Sequence, residues 1–294
     1  MIKRIVEISN PARLSLKNQQ MVVDREGFDL AAVPIEDIGV LILDHPQITH
    51  TQGLLAACSE NNVALLVCSE KHLPSAILLP LEGNSLHSKI IAQQAQVTEP
   101  TCKRLWQAIV RAKIREQAKA LLLSTGDDSP LPAYAKRVKS GDTENIEGQA
   151  ARIYWQKLFG QDFRRDPKTP GINILLNYGY AVMRAAVARA IVSTGLHPSL
   201  GLHHHNQYNS FCLADDLVEP LRPAVDLKVY ELCKKLPEEP ALTTENKRVL
   251  LETLSADCVM NGQRLPLMTS LHHYAASVRK VICGEHKRME IPAL

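Results

Sequence analysis

The hydrophobic period of this chain changes once, and that change decides what it can fold into. Over roughly the first 80 residues the apolar positions alternate or stand in short blocks, the pattern of strands. Arg4 to Ile8 and Arg13 to Lys17 alternate apolar with polar, and Met21-Val22-Val23 can pair back across a turn. Val40 to Leu43, Val63 to Val67 and Ala76 to Leu79 read as further strands, with a short helix over Thr51 to Asn62. Pro80 to Asn84 carries no period and marks the expected domain boundary. Beyond it the spacing is helical: first from Arg104 to Leu123, then, after a Gly/Asp/Ser/Pro loop over Thr125 to Pro132, near 143–159, 172–194, 213–235, 244–259 and 267–283. The fold class expected is α+β, with a small β-rich N-terminal domain (1–80) followed by a larger all-α helical domain (85–294).

Composition narrows the setting. Hydrophobic residues make up 45% of the 294, which excludes extensive disorder. The net charge of +3 permits an anionic partner without demanding one. Seven cysteines, an odd number without a C-x-x-C pair, point away from a disulfide framework or zinc ribbon and towards a reducing cytosol. The start lacks a signal-peptide core, and no apolar run reaches the ~20 residues that span a bilayer, so a soluble, cytoplasmic protein without membrane contact is expected.

Three segments carry chemistry. Glu147 shares a helix face with Ala151, Tyr154 and Leu158, so a carboxylate points inward. A metal ion or a cation must satisfy it, the plain alternative being an ion pair with an arginine. His203-His204-His205 follows a long helix in loop-like sequence and offers imidazole ligands, or else a solvated polar loop. Asp215, Asp216 and Glu219 crowd one turn, where they repel one another unless a cation sits among them. Pro220 and Pro223 should break that helix just after Glu219.

The helix at 172–194 adds a polar stripe of Asn173, Asn177, Tyr180 and Arg184, suited to phosphate oxygens or simply exposed. Lys136, Arg137 and Lys139, then Arg164, Arg165 and Lys168, form two small basic clusters.

Taken together these segments resemble a known family. Asn145-x-Glu147 with Ala150 and Tyr154-Trp155, then Asn173-x-x-Leu176-Asn177-Tyr178-Gly179-Tyr180, are two of its motifs. His204-x-Asn206-Gln207-x-Asn209 and Asp216-Leu217-Val218-Glu219-Pro220-x-Arg222-Pro223-x-Val225-Asp226 complete the set. The chain is similar along essentially its whole length to the universal CRISPR-associated endonuclease and integrase of spacer acquisition, with wording like that of the type II branch. The resemblance implies insertion of short DNA fragments into a CRISPR array by metal-dependent transesterification. It implies a Mg²⁺ or Mn²⁺ site of Glu147, His204 and Glu219, with Asp216 as accessory ligand and His203 or His205 as alternatives to His204. Asn173, Asn177, Arg184, Arg164, Arg165 and Arg222 are the candidates for DNA contact. Implied partners are spacer-precursor and repeat DNA, a second copy of the chain, a small ferredoxin-like adaptation protein and the RNA-guided effector nuclease. Pairing of two copies is expected through the N-terminal domain, whose one helix looks too little to cover its strands. The same residues would also serve a nuclease acting on branched DNA, or stand as structural groups in a helical DNA-binding scaffold.

Overall fold

The computed structural model describes residues 3–126, 128–235 and 240–294, which leaves position 127 of the expected 125–132 loop outside. The N-terminal part holds two four-stranded sheets rather than one. The first has the order β1 (Arg4–Ile8), β5 (Ile38–Leu43), β7 (Ala64–Cys68), β8 (Pro74–Leu78). The second runs β4 (Ala31–Pro34), β3 (Gln20–Asp24), β2 (Ala12–Lys17), β6 (Ile48–His50). The helix α1 (Gln52–Glu60) connects β6 to β7. The strands β4 and β6 are short and only partly buried, which is why the apolar pattern did not reveal them.

The strand β5 is buried at every position. Successive side chains on a strand point to opposite faces, and both faces of this sheet are covered. Leu41, Leu43 and Leu65 pack with Leu14, Met21, Val23 and Leu54 of the second sheet and α1. Val40, Ile42, Ala64 and Leu66 join the core of the helical part. The expectation of an under-covered sheet is thereby corrected: helices of the same chain cover it.

The helical part comprises α2 (His87–Ala95), α3 (Glu99–Thr125), α4 (Leu131–Arg137), α5 (Ile146–Phe159) and α6 (Ile172–Ser193). It continues with α7 (Cys212–Val218), a 3₁₀ turn at Glu219–Leu221, α8 (Arg222–Lys235), α9 (Thr244–Ser255) and α10 (Leu267–Ile282). The break after Val218 falls where Pro220 removes a backbone donor. The description all-α fails at one place. α9 ends at Ser255, and Asp257–Met260 (β9) and Gln263–Pro266 (β10) form an antiparallel hairpin. Its turn is Asn261-Gly262, with φ of 53° and 74°, the left-handed pair that a two-residue hairpin turn requires. That dipeptide outranks the helical spacing which would carry α9 on to 259.

The two parts are tied by buried charge. Lys247 of α9 donates to Asp44 and lies 2.8 Å from Glu7 of β1, with its side chain 3% exposed. The outer oxygen of Asp44 meets His72 Nδ1 at 2.9 Å, and Tyr178 of α6 donates to Glu7. Removing one partner leaves uncompensated buried charge, which costs about 3–5 kcal/mol. Lys247→Ala is expected to lower the stability seen in urea unfolding by that amount. A loss under about 1 kcal/mol would show that the network is not buried in solution.

Candidate active site

The structure brings Glu147 and Glu219 to a single cation. Asn145, in the left-handed conformation (φ 50°), caps α5 by accepting from Gly148 N at 3.1 Å. Asp142 accepts from Ile146 N and Glu147 N at 2.9 and 3.0 Å. The first turn of α5 is therefore fixed from both sides, with Glu147 in it. Glu219 opens the 3₁₀ turn between α7 and α8 and is buried. Lys113 Nζ, from α3, lies 2.5 Å from Glu147 Oε1 and 2.5 Å from Glu219 Oε2. The partner of the inward carboxylate is thus a lysine, not an arginine. Its presence was legible: Trp106, Val110, Lys113 and Gln117 follow the i, i+4, i+7, i+11 rule along the inner face of α3.

Burial opposes charge here, and pairing overrides it. Burial alone would lower the pKa of Lys113, but Glu219 and Glu147 raise it. Burial works against the charged form of Glu219 too, yet Arg222 and Lys113 hold its carboxyl at about 2. Arg222 Nε stands 2.9 Å from Glu219 Oε1. Glu219 Oε2 is buried, and its approach to Lys113 lacks the alignment of a hydrogen bond.

The acidic stretch is not a solvated face. Asp216 is wholly buried, and four donors converge on it: Leu202 N at 2.6 Å, His203 N at 3.0 Å, His204 N at 3.3 Å and His204 Nδ1 at 2.6 Å. Asp216 therefore folds the histidine loop around itself. Gly201 makes this possible, since a Cβ there would collide with the His204 carbonyl oxygen and come within 2.9 Å of Cys212 Cβ. The Nδ1 bond to Asp216 raises the pKa of His204 and leaves Nε2 as its outward nitrogen; Glu219 raises it further through space. His203 stacks flat on buried Trp106, ring centroids 4.2 Å apart and 1° from parallel. His205 is exposed. Among the described residues no three His, Cys, Asp or Glu side chains form a ready cage for a metal ion.

The polar stripe of α6 is mostly inward. Asn173 accepts from Arg165 Nη1 and Asp166 N and donates to the Arg164 carbonyl. Asn177 accepts from Arg165 Nη2 at 2.8 Å and donates to the Pro167 carbonyl. Both asparagines hold the 164–168 loop, so their task is to present Arg165. Arg164 is itself occupied with the carbonyls of Gln161 and Phe163. Arg165 and Arg222 both lie over Tyr180, at 5.3 and 4.6 Å from its centroid. With Arg184 they line one cleft of about 290 Å³ that also touches Asp215 and Val218. Below it Tyr154 and Tyr180 donate to buried Asp226, whose carboxyl burial pushes up to about 7.

Comparison with known proteins now bears on this arrangement. The chain is thus a mixed α/β protein whose strand-rich N-terminal part precedes a helical part that gathers Glu147, Glu219 and His204 near three arginines. Residues 6–256 match the family model "CRISPR associated protein Cas1", and the chain belongs to that family. The CRISPR-associated endonuclease Cas1 of Neisseria meningitidis serogroup C (strain 8013) is 37% identical over 295 residues, covering 99% of this chain and 96% of that protein. In fold the chain is similar to a casposase bound to integration product (TM-score 0.78, 18% identity, 98% of this chain and 92% of that one). It is also similar to a Cas1 protein from Thermotoga maritima (0.77, 18%, 96% and 98%) and to a chain of a Cas6-RT-Cas1–Cas2 complex (0.74, 18%, 97% and 35%).

The His204–Asp216 pair gives a pH signature. A group whose pKa is raised on folding adds stability that is full below its unfolded value, near 6.5, and fades as pH rises through the folded value. Melting temperature in the parent, compared with His204→Ala, is expected to show an advantage at pH 5.5 that shrinks above pH 7. A difference that stays flat with pH would remove the charged pair.

Proposed function

We propose that this chain is a divalent-metal-dependent DNA integrase and endonuclease that inserts short DNA fragments as new spacers into a CRISPR array. The observation that carries the reading is the meeting of Glu147 and Glu219, from distant segments, on one largely enclosed positive charge beside His204. Family membership and the fold shared with a casposase bound to integration product support it.

The residues present fit a divalent ion. Two carboxylates and an outward imidazole nitrogen form a mixed oxygen and nitrogen donor set, which suits Mn²⁺ alongside Mg²⁺. Glu219 Oε2 is a buried acceptor without an aligned donor. Glu147, Glu219 and His204 would hold the ion, and Lys113 is the side-chain cation shared by the two carboxylates. When bound, such an ion polarises a phosphodiester and favours ionisation of an attacking hydroxyl. Asp216 stands behind the ligands, fixing the His204 ring and its tautomer. Arg222 restrains Glu219 while it lines the arginine cleft. That cleft positions the phosphodiester, through charge-assisted hydrogen bonds to its oxygens. The 3′-hydroxyl of the fragment forms a new P–O bond as the P–O3′ bond of the repeat breaks, and the departing oxygen ends as a hydroxyl. One ester replaces another, so no energy source is consumed.

The assembly is read in the same terms. Two copies would pair through the outer surface of the 1–80 part, where Phe28 and Leu30 stand 66% and 68% exposed, and a small ferredoxin-like adaptation protein would space their sites. The effector nuclease is a further partner for selecting fragments. A strictly monomeric protein in sedimentation at micromolar concentration would remove the pairing.

The test of the chemistry is joining of a short duplex to a supercoiled repeat plasmid with Mn²⁺ or Mg²⁺. Glu147→Gln, Glu219→Gln and His204→Ala should reduce joining to background, while His205→Ala keeps most of it. Asp216→Asn should lose about 10–100-fold. Cleavage without joining in the parent would point to a nuclease for branched DNA. Equal loss in His204→Ala and His205→Ala would show that the loop, not one ligand, is what matters.

A further inference from the structure

A second basic surface lies on the far side of α3, and nothing in the reaction above uses it. At about 100° per residue, Arg111 and Arg115 fall within about 20° of Arg104, whereas Lys113 falls about 180° away. One side of α3 therefore serves the glutamates and the other carries a straight row of arginines. Lys287 and Arg288, from the segment after α10, face that row across a groove of about 670 Å³. Arg104, Arg115, Lys287 and Arg288 are exposed, and among the described residues none of the five cations makes an ion pair. Arg111 donates to the Val138 carbonyl at 2.7 Å, and its Nε is buried without a partner. Glu116, the one acid among the described residues lining the groove, accepts from Leu294 N, and burial raises its carboxyl pKa. The contact with Val138 sets the end of α4, with Lys136 and Arg137, at the flank of the groove.

In a chain of net charge +3, five cations without an ion pair among the described residues, gathered around one acid, are a strong local field. The row from Arg104 to Arg115 extends about 16 Å, the rise of about five phosphates along one strand of a duplex. Among the described residues no aromatic ring lines the groove, so they offer no platform on which an unstacked base could rest. We propose that this groove is a docking track for the phosphate backbone of duplex DNA, separate from the arginine cleft at the active site. The inference rests on the reading of the chain as a DNA-joining enzyme. It assigns duplex to the far side of α3, leaving the three-arginine cleft for the strand that reacts.

The test is metal-free. Fluorescence anisotropy of a random-sequence 30-base-pair duplex with the intact protein is followed from 50 to 300 mM salt in EDTA. Each phosphate contact contributes about 0.9 to the slope of log K against log salt. R104Q/R115Q/R288Q should lower that slope by about 2.7 and weaken binding more than tenfold at 100 mM salt. R104K/R115K/R288K, which keeps the charges, should stay within about one unit of the parent slope. A glutamine variant that keeps its melting temperature and the parent slope overturns the proposal. So does a glutamine variant with the parent slope that has lost binding to poly-glutamate, which would assign the groove to an acidic protein. If the parent joins no DNA yet the slope falls as stated, the track stands and the reading of the activity fails. If the parent joins DNA and the slope is unmoved, the track alone fails.

Discussion

Two carboxylates that approach one ammonium in a buried setting form the constraint on which the helical part is built. Lys113 pairs Glu147, Arg222 and Lys113 together offset Glu219, and the two glutamates in turn let Lys113 keep its charge there. The three groups come from α5, the turn after α7, and α3, so their balance of charge also fixes how three helices meet. Breaking such a set by removing one partner costs several kcal/mol, whereas replacing the lysine by another cation keeps the balance. The proposed metal-dependent reading draws on this same gathering of carboxylates around a positive charge. The same helix that furnishes Lys113 turns its opposite side to solvent as a row of arginines.

Much of this was legible in the sequence because it was periodic. The strands β1, β2, β3, β5, β7 and β8 and the helices α1, α3 and α5 to α10 follow from apolar spacing, and the break at Glu219 follows from Pro220. What escaped was of two kinds. Local turn chemistry outranked period at Asn261-Gly262, so a hairpin stands where a helix was expected to run on. Tertiary context decided the rest. That β5 is enclosed by the second sheet on one face and by helices on the other is a property of the assembled chain, and no window of residues displays it.

The site shows the same division. Residue types and spacing pointed to Glu147, the histidine run and the 215–219 stretch, but not to their division of labour. Asp216 reads as one more carboxylate in a row, yet its four donors make it the keel of the 201–204 loop. Asn173 and Asn177 read as an outward stripe, yet they hold Arg165 in place from behind. Lys113 was available as a charged residue on an apolar stripe of α3, a signal as plain as the inward glutamate it partners. Sequence reasoning sees what a residue can offer; which offers are taken up depends on the donors that the fold delivers to it.

The enclosure of β5 has a mechanical meaning. A sheet gripped on both faces, and locked further by Lys247 between Glu7 and Asp44, leaves no slack between the outer sheet and the helical lobe. The outer sheet and the Glu147–Glu219 pair are thereby joined through continuous packing on both faces of β5. If two copies pair through the outer sheet as proposed above, the distance between their two Glu147–Glu219 pairs is fixed by this packing rather than by a hinge.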